Sequence, residues 1–173
     1  MRRFLKYICI ALALLCVLSL AACNDGGDKK TEQSSENTAG VSFYTTYKNV
    51  KIELGADADK VLTALGEPQK KTENGNCGGL GTQYKYSYPS IDIYVLEAND
   101  GGAVIDQITF RDDLVSTAEG VSIGSTPEEA KQALGEPTSS NGSTLIYTKG
   151  QYNLKLGIDG DLITEINYLT VSE

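Results

Sequence analysis

The five letters Ala-Leu-Gly-Glu-Pro occur twice in this chain, at 64–68 and 133–137, 69 positions apart. Without a gap, residues 54–68 and 123–137 share six of 15 positions: Gly55/Gly124, Ala64/Ala133, Leu65/Leu134, Gly66/Gly135, Glu67/Glu136 and Pro68/Pro137. Typical residue frequencies give about one such match. A chain that writes one local instruction twice is expected to build the same local element twice.

The instruction reads as a short helix and its stop. Asp57 or Thr126 can serve as N-cap, accepting from backbone N–H groups that have no partner within the helix. Pro127 suits the first helical turn. Asp59, Glu128 and Glu129 lie where the helix dipole favours negative charge. Val61, Leu62 and Leu65 form one apolar face; Ala130, Ala133 and Leu134 form a slimmer one. Gly66 and Gly135 then supply a left-handed C-terminal position, and a proline two residues on blocks continuation.

Strand patterns follow each stop. Residues 82–88, 91–97 and 103–110 follow the first, and 143–149, 152–158 and 161–171 the second, with Pro89-Ser90, 99–102, Gly150-Gln151 and Asp159-Gly160 as turns. Residues 50–54 and 120–124 read as lead-in strands. Residues 104–110 match 162–168 at an offset of 58, so the first copy is longer, and the glycine-rich 71–81, with Cys77, reads as a loop that takes up the excess. The repeats run from about 50 to 110 and from about 120 to 171. A unit of about 65 residues is marginal alone, so two should share a sheet or pack together. The expected class is α+β: two tandem helix-plus-antiparallel-strand repeats, helices on one sheet face and the other face open.

Residues 1–22 read as a secretory leader, with Arg2, Arg3 and Lys6 before an apolar run at 7–22. Sixteen apolar residues are short of the roughly 20 a spanning helix needs. Leu20-Ala21-Ala22-Cys23 resembles the lipobox of bacterial lipoproteins. That resemblance implies cleavage between Ala22 and Cys23, and a diacylglycerol on the Cys23 sulfur. It places the protein in the cell envelope, lipid-anchored on the extracytoplasmic side of the membrane. Two acyl chains at roughly 0.8 kcal/mol per buried CH₂ hold firmly. Residues 24–40, polar and without apolar periodicity, read as a disordered tether joining Cys23 to a folded region at 41–173.

Removing Arg2, Arg3 and Lys6 leaves 12 basic against 23 acidic residues, a balance of −11. Such a surface argues against nucleic acid as a partner. Cys9 and Cys16 leave with the leader and Cys23 takes lipid, so Cys77 has no cysteine to pair with in the mature chain. A hydrophobic core must do what disulfides do elsewhere.

The helix that follows a glycine and ends at Leu-Gly-Glu-Pro, residues 65–68 and 134–137, resembles two families. One is the β-lactamase-inhibitor-protein family (BLIP-like), with its tandem-repeat fold. The other is the small outer-membrane-assembly lipoproteins of the SmpA/OmlA (BamE) type. The wider match, including Asp112-Asp113 and Glu119-Gly120, is similar to lipoproteins of Gram-positive bacteria. The resemblance implies a fold whose members mostly bind other proteins.

Catalytic options are few. There is no histidine, so Ser-His-Asp and Cys-His arrangements and histidine-bound metals are impossible. Cys77 has no imidazole to activate it, and nearby Glu73 opposes a thiolate. Asp112-Asp113, Glu128-Glu129 and Asp159/Asp161 lack the spacing of a calcium loop and suit turns and caps. No cofactor, metal or enzymatic activity is expected. Tyr84, Tyr86 and Tyr88 alternate and share one sheet face; Ile91, Ile93 and Val95 are expected in the core with Leu62 and Leu65. Tyr94 and Leu96 then fall on the open face, with Ile146 and Lys155 from the second repeat, as the candidate binding surface. The expected function is a membrane-anchored protein-binding module, with an inhibitor-like role as one reading that the resemblance implies. A structural part of an envelope assembly complex is the alternative, and a weak hydrolase or thiol protein a remoter one.

Overall fold

The computed structural model describes residues 42–76 and 79–171. The leader, Cys23, the tether and Cys77 lie outside the described residues. The elements run β1 (Tyr44–Tyr47), β2 (Val50–Glu53), α1 (Ala58–Leu65), β3 (Lys70–Asn76), β4 (Gly81–Ser87), β5 (Ile91–Ala98), β6 (Ala103–Phe110), α2 (Pro127–Leu134), β7 (Ser139–Ser140), β8 (Thr144–Lys149), β9 (Tyr152–Asp159) and β10 (Leu162–Thr170). β1 and β2 form a two-stranded ribbon. The other strands make one antiparallel sheet in the order β3-β4-β5-β6-β10-β9-β8-β7.

This overturns the expected α+β class. The chain is mostly antiparallel β: one eight-stranded sheet, with two helices of eight residues each among the described residues. The helices are short because their stop signals act early. Gly66 and Gly135 take φ of 75° and 83°, and their N–H groups close the last turns on Leu62 and Lys131. The alternating segments that follow instead run on from hairpin to hairpin, so strand pairing dominates. The helix starts are capped as their sequences suggest. Asp57 accepts from the Lys60 amide at 3.3 Å. Thr126 and Glu129 form a reciprocal capping box, with bonds of 3.2 and 2.8 Å.

Two local expectations also change, and a third holds with a partner the sequence did not name. Of the segment 71–81, read as loop for its glycine and polar content, residues 71–76 join Lys70 in edge strand β3, whose register shifts between Glu73 and Gly75, and Gly81 opens β4. One-sided pairing and a bulge accommodate that composition. Residues 120–124 form no strand. Thr117 and Val121 close a tight turn there: the Val121 N–H donates to Thr117 Oγ1, the Thr117 N–H donates to the Val121 carbonyl, and Gly120 turns at φ 93°. Residues 50–53 are a strand, but pair with 44–47 in the separate ribbon.

The core lies on one face of the large sheet. Ile91, Ile93, Val95, Ile105, Ile108, Leu145, Tyr147, Leu154, Leu156, Ile163, Ile166 and Tyr168 point to it along their strands. Ala58, Val61, Leu65 and Ala130 of the helices and Phe43 and Ile52 beside and within the ribbon complete it. Leu62 is only partly buried, at its margin. Each Val, Leu, Ile or Phe among them taken fully from water contributes roughly 1.5–3 kcal/mol before entropy is counted. Both helix starts are tied to the sheet in the same way. Gly55 donates to Ile105 and Ile105 to Ala56, at 2.8 and 2.9 Å; Gly124 donates to Ile163 and Ile163 to Ser125, both at 2.8 Å. In each case the receiving strand departs from regular register nearby, which leaves backbone groups free to bond outside the ladder.

Candidate functional site

The face opposite the core is read from the pairing register. One row across the sheet runs Lys85, Tyr94, Gln107, Leu169, Asn153, Thr148. The next runs Ser87, Asp92, Thr109, Asn167, Lys155, Ile146, Ser139. Leu96 lies beyond Tyr94, opposite Gln83 and Val104. Tyr94, Leu96, Ile146 and Lys155 therefore share this face, and all four are half-buried. They form two groups rather than one. Ile146 and Lys155 are direct cross-strand neighbours, while Tyr94 is three strands from Lys155, about 14 Å at the usual strand spacing. Leu169 stands between the groups, in Tyr94's own row.

The ground between these side chains is polar and internally bonded. Asn74 donates to Gln83, and Gln83 to Asp106, both at 2.6 Å. Gln107 donates to Thr109 at 3.2 Å, Thr109 to Asn167 at 2.7 Å, and Asn167 to Glu165 at 2.5 Å. Thr148 donates to Asn153 at 2.8 Å. Gln83 and Asn167 are buried by their neighbours on this face. At the first-half end, the Asp92 carboxylate lies 3.7 Å from Lys85 Nζ and 3.9 Å from Arg111 Nη1, with Oδ1 buried and accepting no hydrogen bond. Lys85 is also 6.0 Å from the Tyr94 ring centre, so charge and aromatic surface meet there.

The tyrosine run falls on the other side. Tyr84 and Tyr86 pair with Val95 and Ile93, on the core face, and Lys71 lies 4.3 and 4.9 Å from their ring centres. Tyr88 is buried, and its hydroxyl donates to the Gly66 carbonyl at 3.0 Å. These three rings are structural rather than part of the open face.

The paired acids take structural roles. Asp112 accepts from the Leu114 amide at 3.0 Å, Glu129 completes the capping box, and Asp159 and Asp161 flank a turn at Gly160, φ 61°. Among the described residues, no three His, Cys, Asp or Glu side chains come together as metal ligands. Nor is any described helix long and apolar enough to cross a membrane. Burial raises the phenols of Tyr88 and Tyr147, and raises that of Tyr168 well above its ordinary value, with Glu119 and Tyr44 adding to it.

No family model, curated protein or solved structure matches the chain.

Sequence reasoning missed Leu169, the Asp92 cluster and the hydrogen-bonded carpet. Strand alternation alone gives the face of each residue. Only the order β5-β6-β10-β9 says which strands lie between the two groups.

Proposed function

We propose that this protein is a lipid-anchored extracytoplasmic binding module, and that its partner is a protein docking on the open face of the eight-stranded sheet. The supporting observation is the chemistry of that face. Tyr94, Leu96, Leu169 and Ile146 offer half-buried apolar surface. Most polar side chains between them are hydrogen-bonded to one another, with Asp92 Oδ1 as the exception. Covering such a surface orphans few polar groups, so apolar contact translates into affinity instead of being spent on desolvation. Lys155 and the Lys85–Asp92–Arg111 cluster would set orientation at the rim. The absence of histidine and the structural use of the acidic pairs favour binding over catalysis.

The anchor is tested by Cys23→Ala. This variant should leave the membrane fraction for the soluble one; equal membrane retention would sink the lipoprotein reading. For the binding face, the full-length chain in non-ionic detergent is immobilised and exposed to lightly cross-linked envelope extract. One protein captured by the wild type, and lost with Tyr94→Ala/Leu96→Ala of unchanged melting temperature, is the expected result. Equal capture by both moves the surface elsewhere. A captured set that recurs at fixed stoichiometry would favour the assembly-complex alternative.

A further inference from the structure

The two halves of the sheet treat the space beneath their helix stops differently. Tyr86 pairs with Ile93 in the first half, and Tyr147 with Leu154 in the second. Two residues on, the Tyr88 N–H donates to the Ile91 carbonyl, and Lys149 pairs with Tyr152. Tyr88 and Lys149 thus hold corresponding places. Tyr88 fills its place, 1% exposed, with its hydroxyl on the helix-stop carbonyl of Gly66. Lys149 does not. Its ammonium lies 4.5 Å from the Phe43 ring centre and 3.5 Å from Glu119 Oε1.

What remains is a cavity of about 320 Å³, bounded by Phe43, Leu134, Glu136, Thr138, Tyr147 and Lys149. A single water takes about 30 Å³, and small-molecule sites begin near 300 Å³. Tyr147 is 5% exposed, yet its hydroxyl has no hydrogen-bond partner. A buried, unpaired hydroxyl is costly and calls for a ligand. The wall behind it is fixed, since the Thr148 N–H donates to Thr138 Oγ1 at 3.0 Å. The charges are unequal. Glu119 is matched by Lys149, whereas Glu136 forms no ion pair among the described residues. Burial first, and then the Glu136 charge, raise the Tyr147 phenol, so Tyr147 meets a ligand neutral and can accept from it.

We infer that this cavity binds a small organic cation, an alkylammonium or guanidinium group, with its charge between the Tyr147 hydroxyl and the Glu136 carboxylate and its carbon body against Phe43 and Leu134. An anion would meet the unmatched Glu136, and a neutral alcohol would leave that carboxylate without a counter-charge. The site lies on the helix-bearing side of the sheet, so it stands or falls independently of the open face.

The test is amide NMR on the full-length chain in non-ionic detergent at neutral pH, titrated with n-butylamine, n-butanol and butyrate. Butylamine should shift the amides of residues 134–136 and 147–149, saturating in the millimolar range expected of so few atoms. Butanol and butyrate should bind about tenfold more weakly or not at all, since both lack the charge Glu136 needs. Glu136→Gln, at an exposed position, should weaken butylamine about fivefold at unchanged melting temperature. Lys149→Tyr should fill the cavity as Tyr88 does and abolish the shifts. Nα-acetyl-lysine amide distinguishes the source: affinity equal to butylamine assigns the site to a basic side chain of a peptide, and weaker binding assigns it to a free amine. No saturable shifts up to about 100 mM, butanol as strong as butylamine, or an unaltered Glu136→Gln would each overturn the assignment.

Discussion

Gly55 faces the hydroxyl of Tyr152 so closely that any Cβ at position 55 would collide with it. Gly55 also holds φ at 77°, while its N–H tethers the start of α1 to Ile105. Gly124, its counterpart before α2, has φ 92° and nothing near the Cβ direction. Gly55→Ala should therefore cost more than Gly124→Ala. About 1 kcal/mol is expected at Gly124 from backbone strain alone, and about 2–3 kcal/mol at Gly55, where Tyr152 must also move. Denaturant midpoints of the two variants give the comparison; equal losses would mean that Tyr152 yields freely.

Removing one hydroxyl should have opposite effects in the two halves. Tyr88→Phe deletes the bond to the Gly66 carbonyl and should cost about 1 kcal/mol. Tyr147→Phe deletes a hydroxyl that bonds to nothing and should be neutral or slightly stabilising. Chemical denaturation checks both, and a loss at Tyr147 equal to that at Tyr88 would contradict the open cavity.

The capping box offers a graded test. Thr126→Ala removes the acceptor for the Glu129 amide and should destabilise by about 1 kcal/mol. Thr126→Ser keeps an oxygen there and should stay close to wild type. Thermal melts of the pair separate the loss of the cap from the loss of a methyl group.

Alkali should unfold this protein through its buried phenols. Tyr168, Tyr88 and Tyr147 ionise at higher pH folded than unfolded, chiefly because burial disfavours the phenolate. Their contribution is complete below the ordinary tyrosine value, near pH 10, and is lost as pH rises through their folded values. Stability should fall above about pH 10, and Tyr168→Phe should flatten that fall most. The same substitution removes the bond from Tyr168 to the Tyr44 carbonyl, so it should start about 1 kcal/mol lower at neutral pH. Denaturant titrations at stepped pH resolve the two effects.

Local chemistry was legible in the chain where one residue decides the backbone. Gly66 and Gly135 end helices, Asp57 and Thr126 begin them, and Asp159-Gly160 makes a turn. Strand parity also placed Tyr94, Leu96, Ile146 and Lys155 on one face. The six long strands were legible by their alternation, but the class was not, because two helices of only eight residues each count for little beside one continuous sheet. The edge strand at 70–76 was hidden by glycine and charge, which an edge tolerates and a central strand does not. Tyr147 reads simply as a core tyrosine in its strand. Only the place of Lys149, set by pairing with Tyr152, shows that the space beside it is empty.

The order of strands has one more consequence, at its two ends. A sheet this wide carries two rows of unpaired backbone groups, each a template for a neighbouring molecule. One end is β7, only two residues long; the other is β3, bent by a register shift and bearing Lys70, Lys71 and Glu73. Neither offers a straight, apolar run on which another strand could grow. Short length at one end, and charge with a bend at the other, make both edges poor templates for a neighbouring strand.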